Sequence, residues 1–376
     1  MERGQVKKNW GNRPWTVDFV PAKQELPKTV DFAVIGGGFT GLSAAARLKQ
    51  FSPESTVCVL EAAEFGAGSS GHTGGMALAE SAVGDLPGLG DVLAGYQEIL
   101  KELKVEGEMT LPGVYELGRT SPLPDSPIRW KDSGDLCAVR EVPGGTINPG
   151  KVVGELARAA ELLGVRLFER SGVEGVRFSE SVELQTERGK VQAQKVLFAT
   201  NAYSLELTGL QGRAEAMFTL AVATQELTDA VITELGLSER KPFYTVDIPY
   251  LWGRTLGNAV IFGSGLVHMD DWRELDDLDI DSGEAASMFT RLENRIRGLH
   301  HCLATVSFAY RWGGPICIAE QWKPVFEWHP ESRKAIVLGS YSGHGVAQSV
   351  YLGSWAAEVM LERRAPPNWR KQESKN

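Results

Sequence analysis

The chain has 376 residues, 43% of them hydrophobic and 23% charged, and a formal net charge of −9. That length exceeds what one core ordinarily holds, so two domains or one discontinuous pair is expected, while the composition excludes a disordered chain and the acidic balance excludes a nucleic-acid backbone as partner. Cys58, Cys137, Cys302 and Cys317 show no CxxC or zinc spacing and read as reduced thiols; with a polar N-terminus and no long apolar run, the expectation is a cytoplasmic protein that does not enter a membrane.

Residues 1–28 hold Trp10, Trp15 and three prolines and read as an irregular arm whose tryptophans pack on the body. The first βαβ unit follows, from Thr29 to Glu61. Its apolar strand Phe32 to Ile35 runs into Gly36-Gly37-Gly38-Phe39-Thr40-Gly41 and then an Ala- and Leu-rich helix. Gly36 permits the tight turn, Gly38 lets backbone approach a pyrophosphate, and Gly41 lets the helix pack on the sheet. The helix N-terminus offers N–H groups and partial positive charge to phosphates. A second apolar run, Thr56 to Leu60, ends in Glu61, twenty residues beyond Gly41, where a carboxylate takes ribose hydroxyls and disfavours a 2′-phosphate. A glycine turn in an empty α/β domain is the competing reading, and this context weighs against it.

Phe65 to Met76 contains Gly68, Ser69, Ser70, Gly71, His72, Thr73, Gly74 and Gly75. It is too rich in glycine for a helix and too long for an incidental turn, which suits a loop lying against something flat or charged. From Asp85 to Val142 the pattern changes to a helix at Leu89 to Lys104 and strands near Gly113 to Leu117 and Ala138 to Val142, as an insertion would. Asn148-Pro149-Gly150 opens an amphipathic helix, Lys151 to Leu163. Strands follow at Val165–Phe168, Gly175–Phe178, Val182–Thr186 and Val191–Thr200. The last ends in Thr200-Asn201, small polar residues that suit a carboxyl end opening onto a ligand.

Residues 206–320 read as a second domain, with strands near Phe218–Thr224, Phe243–Leu251 and Ala259–Gly265, a helix at Gly283–Leu299 and a strand at Thr305–Trp312. The acidic stretch Asp270 to Asp281 shows no metal-ligand spacing and reads as a solvated loop. At the end, Ala335–Leu338, the turn Gly339 to Val346 and a helix to Glu362 repeat the opening strand–turn–helix device. The economical organisation is a discontinuous dinucleotide domain of residues 29–84, 143–205 and 321–366, a substrate domain of 85–142 and 206–320, and a polar tail, 367–376.

Taken together, Gly36 to Gly41 with Glu61, the loop Gly68 to Gly75, Ile147-Asn-Pro149, Val173, Ala199-Thr200-Asn201-Ala202, Trp312-Gly313-Gly314 and Tyr341-Ser-Gly343-His344-Gly345 resemble the FAD-dependent amine and amino-acid oxidoreductases of the D-amino-acid oxidase superfamily over nearly the whole length. The resemblance implies an α/β (α+β) fold, a doubly wound Rossmann-like FAD domain assembled from discontinuous segments beside a domain built on an antiparallel sheet that covers one face of the flavin. It implies that Glu61 binds the adenosine ribose, Val173 the adenine region, and Gly343, His344, Gly345 and Val346 the isoalloxazine. The loop Ser69, Ser70, His72, Thr73, Gly74, Gly75 and Met76, together with Thr200, Asn201 and Gly313, completes the implied cofactor contacts.

His72 falls where dimethylglycine dehydrogenase-like relatives bond a histidine to the flavin 8α carbon, so covalent FAD through His72 stands beside a histidine that only contacts the cofactor. The activity implied is hydride transfer from the carbon next to a neutral amine nitrogen to flavin N5, giving an imine that water hydrolyses; the substrate is a small-molecule amine or amino-acid derivative, and oxygen or another acceptor takes the electrons. Tyr250, Trp252, Arg254, Trp312 and Tyr341 are the candidates to line the catalytic cavity, each with core packing as the alternative. Departures from the pattern bear on the substrate. The arginine of Trp-x-Gly-x-Arg is replaced in Trp312-Gly-Gly314-Pro-Ile316, Ala347 stands where sarcosine oxidase-like relatives carry lysine, and no arginine lies around Met76. A buried carboxylate without a cation is costly, so a simple α-amino acid is disfavoured and Arg254 is the remaining anchor. The oxygen-activating lysine of sarcosine oxidases would lie near Ile261, which favours weighing a dehydrogenase beside an oxidase. A flavin dehydrogenase of a 2-hydroxy acid or polyol, an NAD-dependent dehydrogenase, and a flavin-containing binding subunit without turnover are the competing functions.

Overall fold

The computed structural model describes residues 8–369; residues 1–7 of the expected arm and 370–376 of the expected tail lie outside the described residues. Two large sheets organise the chain. In the first, the parallel strands lie in the order Ser332–Gly339, Gly189–Phe198, Thr29–Ile35, Val57–Leu60 and Arg166–Phe168. Their carboxyl-terminal parts are almost wholly apolar because both faces are buried there, and the period of two sorts them. Val34, Val57, Val59, Leu197 and Ile336 face the helices Phe39–Phe51, Pro149–Leu162 and Gly345–Met360. Ala33, Cys58, Leu60, Val196 and Phe198 face the other way, sharing a buried cluster with Val182, Leu184 and Val191 of the antiparallel strands that extend this sheet.

The second sheet has nine strands in the order Gly11–Asn12, Phe308–Ala319, Ala214–Thr224, Ala259–His268, Trp252–Leu256, Phe243–Thr245, Val114–Gly118, Asp135–Val142 and Arg129–Lys131. All neighbours are antiparallel except Phe243–Thr245 beside Val114–Gly118. The helix Gly283–Leu299 packs Phe289, Leu292 and Ile296 against it. Among the described residues no helix is long and apolar enough to cross a membrane.

Several local expectations are corrected. The strand expected over Phe243–Leu251 stops at Thr245; the chain turns back through a loop that holds the cis Ile248–Pro249 bond, and Trp252–Leu256 returns as a separate strand antiparallel to Phe243–Thr245. Thr245 closes the intervening loop, its Oγ1 accepting from Leu251 N at 2.9 Å. The acidic stretch is not simply solvated: Leu275 is fully buried, and its carbonyl accepts from Trp10 Nε1 at 2.9 Å. Both arm tryptophans are buried. The expected polar tail includes Trp369, buried edge-on against Trp355 and donating to Pro324 O.

Candidate functional site

The turn after Thr29–Ile35 is glycine by necessity. Gly36 has a φ of +107°, and a Cβ there would stand 2.5 Å from Ala199 O. A Cβ on Gly41 would stand 2.0 Å from Gly36 O, so Gly41 lets the helix Phe39–Phe51 begin directly beneath the turn. The first N–H groups of that helix have no partner within it, and the helix dipole adds positive potential there. Glu61, at the end of Val57–Leu60, turns back on the same turn: Oε2 accepts from Gly37 N at 2.7 Å and Oε1 from Ala63 N at 2.9 Å. Burial nevertheless holds its carboxyl above the ordinary range, against the pull of those donors.

A cavity of about 1130 Å³ runs from this turn to the nine-stranded sheet. Gly36, Gly38, Phe39, Thr40, Glu61, Ser69, Ser70, His72, Thr73, Gly74, Met76, Val173, Thr200, Asn201, Gly313, Gly343, His344, Gly345 and Val346 line it, as do Tyr250, Trp252, Trp312 and Tyr341. Four segments remote in sequence are tied along it. Asn201 Nδ2 donates to Ser69 Oγ at 2.9 Å, Asn201 Oδ1 accepts from Ser340 N at 2.9 Å, and Ser69 Oγ donates to Pro315 O at 2.7 Å. Tyr341 Oη meets Thr40 Oγ1 at 2.8 Å, which joins the last turn to the first helix. Ser342, 4% exposed, lines the same cavity with an Oγ that has no hydrogen-bond partner.

The glycine-rich loop was expected to be irregular throughout, yet Ser69–His72 forms one helical turn. Gly71 allows it, since a Cβ there would stand 2.1 Å from Gly66 O. His72 Nδ1 lies 2.9 Å from Gly68 O, which only accepts, so Nδ1 carries the proton and Nε2 accepts from Arg13 Nη1 at 2.6 Å. Desolvation, then the charge of Arg13, pushes its pKa down to about 3, and the ring is neutral.

The wall opposite the loop is a single rung of the nine-stranded sheet. Trp312, Ala221, Gly263, Trp252, Tyr244, Glu116 and Arg140 are successive register partners, so their side chains project from one face. Gly263 makes room within the rung: a Cβ there would meet the Trp252 ring at 2.1 Å. The far edge of that ring rests on Gly74, where a Cβ would come within 2.0 Å of it. Trp312 Nε1 donates to His72 O at 3.0 Å. The rung thus runs from an aromatic stretch against the loop to a polar end, where Tyr244 Oη donates to Glu116 Oε1 at 2.6 Å and Arg140 grips Glu116 with two bonds of 2.6 Å.

Arg254 does not belong to this cavity. It shares a strand face with Trp252 but occupies the next rung, paired with Ile261, 3% exposed and donating to Ile147 O at 2.7 Å, with the Trp15 ring 5.8 Å away. Desolvation lowers its pKa to about 10. Its burial and its bond to a backbone carbonyl are those of a structural cation. Gly41 and Gly75 also lie off the lining; Gly75 has a φ of +77° and packs against Ile147 O. Sequence reasoning missed Glu80, Glu116, Tyr244 and Asp247, which line the cavity, and Arg13 behind His72. No local motif marks them: Tyr244 meets Glu116 through strand register, while Glu80, Asp247 and Arg13 arrive on loops.

The residues fit FAD: backbone donors at a helix start, a carboxylate at the end of the second strand, glycines where a Cβ would clash, and an unpartnered buried hydroxyl aimed into the cavity. The comparisons agree with that fit. The family model described as FAD dependent oxidoreductase matches residues 31–359. A curated relative, the γ-glutamylputrescine oxidoreductase of Escherichia coli K12, is 26% identical over 378 residues, covering 88% of this chain and 84% of that protein. Glycine oxidase from Geobacillus kaustophilus superposes with a TM-score of 0.69 at 18% identity, over 90% of this chain and 96% of that one. L-amino acid deaminase from Proteus myxofaciens does so at 0.71 and 13%, over 96% of each chain. The chain belongs to the FAD dependent oxidoreductase family.

Proposed function

We propose that this member of the FAD dependent oxidoreductase family oxidises the C–N bond of a small amine by hydride transfer from the adjacent carbon to flavin N5, giving an imine that water hydrolyses. The observation that carries the reading is the lining of the cavity at the nine-stranded sheet. Trp252, Tyr244 and Tyr250 wall it, and among the described residues no arginine and only one lysine, Lys8, line the cavity at all. Lys8 sits over the Trp10 ring, 3.8 Å from its centroid, at the His72 end. An α-carboxylate would enter such a wall without a partner, which is costly, whereas an amine meets aromatic faces that attract it as a cation. The E. coli relative, named for a γ-glutamylated amine, supports the same reading.

The lining of the cavity supports the roles that the family resemblance implies. Gly36 to Gly38 and the helix start would hold the pyrophosphate, Glu61 the ribose and Val173 the adenine region, with Gly343 to Val346 beside the isoalloxazine. Trp252, packed between Gly263 and Gly74, orients the reacting carbon and excludes water, which favours the neutral amine whose lone pair the reaction needs. No side-chain base is required beyond that.

The test is anaerobic mixing of the purified holoenzyme with amines and with 2-hydroxy acids, following loss of the visible flavin absorbance. Bleaching by amines supports the reading; bleaching by hydroxy acids alone overturns it.

A further inference from the structure

The polar end of the rung has more negative charge than its neighbours answer. Glu80, Glu116 and Asp247 all line the cavity there. Arg140, with one positive charge, forks both oxygens of Glu116 and stands 4.0 Å from Glu80. Tyr244 lies between the two glutamates, its Oη 2.6 Å from Glu116 Oε1 and 3.2 Å from Glu80 Oε1. A phenol has one proton. Burial, then the bond to Glu116, raises the Tyr244 pKa far above its usual value, so that proton stays on the ring oxygen. It serves one carboxylate, and the other faces the phenol oxygen with no hydrogen between them. Asp247 is paired with Arg119 through Oδ2, and its Oδ1 is buried without a hydrogen-bond partner. Each of these atoms is an acceptor, and Glu80 and Glu116 together carry one negative charge more than Arg140 answers.

An ammonium supplies three donors and one charge on a flexible stem. We propose that Glu80, Glu116 and Tyr244 determine specificity by holding a second, distal ammonium, so that the substrate is an alkyl diamine or polyamine oxidised at one nitrogen and anchored by the other. This rests on the amine oxidation proposed above and adds the class of amine. Glu116 stands two strands from Trp252 along the rung, about 10 Å at ordinary strand spacing. An alkyl chain therefore lies along Tyr244, with its apolar carbons on the aromatic wall and its charge beyond.

The holoenzyme is titrated with alkyl diamines, length-matched monoamines and length-matched ω-amino acids. Two readouts are kept separate: binding, from the perturbation of the flavin spectrum, and anaerobic bleaching. Diamines are expected to bind about tenfold or more tighter than monoamines, the scale of a charged hydrogen bond. E80Q is expected to cut that diamine to monoamine ratio to a few fold; this variant keeps the Arg140 fork on Glu116 intact, and its Tm shows that it folds. Equal binding of diamine and monoamine, tighter binding of the ω-amino acid, or a ratio unchanged in E80Q overturns the proposal while leaving amine oxidation standing. Diamines that bind with the expected preference and bleach nothing would sink the amine oxidation reading and leave this binding site in place.

Discussion

Arg13 donates to Nε2 of His72 across 2.6 Å, and so the N-terminal arm reaches the ring that faces the cofactor cavity. The arm is held there by its own pairing with Phe308–Ala319, by Trp10 edge-on to His72 with centroids 5.1 Å apart, and by Trp15 Nε1 donating to Gly71 O. His72 is therefore engaged at both nitrogens. That decides how the ring behaves toward a flavin and toward protons.

The first consequence concerns attachment. A bond from the flavin 8α carbon needs a ring lone pair, and the one lone pair of this tautomer points at Arg13. We expect a dissociable cofactor. Acid precipitation of the holoenzyme should leave a colourless pellet and a yellow supernatant; a yellow pellet that survives washing would show that Arg13 yields and His72 bonds the flavin.

The second concerns acid stability. The folded pKa of His72, about 3, lies below its ordinary 6.5. Its contribution to stability is therefore fully present above pH 6.5 and lost as pH falls toward 3, at no more than about 1.4 kcal/mol per pH unit. His72→Gln keeps a donor and an acceptor but does not titrate. Between pH 7 and pH 4 the Tm of the wild-type holoenzyme should fall faster than that of this variant, and parallel curves would contradict the assignment.

A third expectation separates the two readings of Arg254. Its guanidinium is buried with a backbone carbonyl as acceptor and an Nε lacking any hydrogen-bond partner. Removing this charge relieves its desolvation penalty, which offsets the cost of about 1–3 kcal/mol for leaving Ile147 O without its donor. Arg254→Met should keep the KM for the amine within about twofold and leave Tm unchanged or raised. A KM increased tenfold would make Arg254 a substrate anchor after all.

Much of the framework is legible in the chain because its causes are local. Thr29 to Phe51 declares a buried strand, a glycine turn and a helix through an apolar run and the spacing of Gly36, Gly38 and Gly41, and Gly339 to Met360 does so again. The helix Gly283–Leu299 has the expected bounds. Local reasoning fails where a neighbour from elsewhere decides. Ser69–His72 forms a helical turn that the carbonyl of Gly66 approaches so closely that only glycine fits at position 71. Phe243 to Leu251 looks continuous in strand residues, but the chain reverses after Thr245 and Trp252 comes back to pair with Tyr244. Trp252 and Arg254 alternate correctly onto one face, and the chain alone offers no sign that the cavity ends between their rungs.

By itself, then, the sequence determined the cofactor end of this protein: a dinucleotide turn, a carboxylate at the end of the second strand and a returning glycine turn are short-range patterns, set by backbone conformation within some thirty residues. Only the tertiary structure decided the substrate end. Glu116, Tyr244, Trp252 and Trp312 come from four strands spread over nearly two hundred residues, and the register that aligns them is a property of the assembled sheet. Charge becomes informative there for the same reason. Glu80, Glu116 and Arg140 are unremarkable singly, and it is their packing around one phenol proton that leaves a place for a cation.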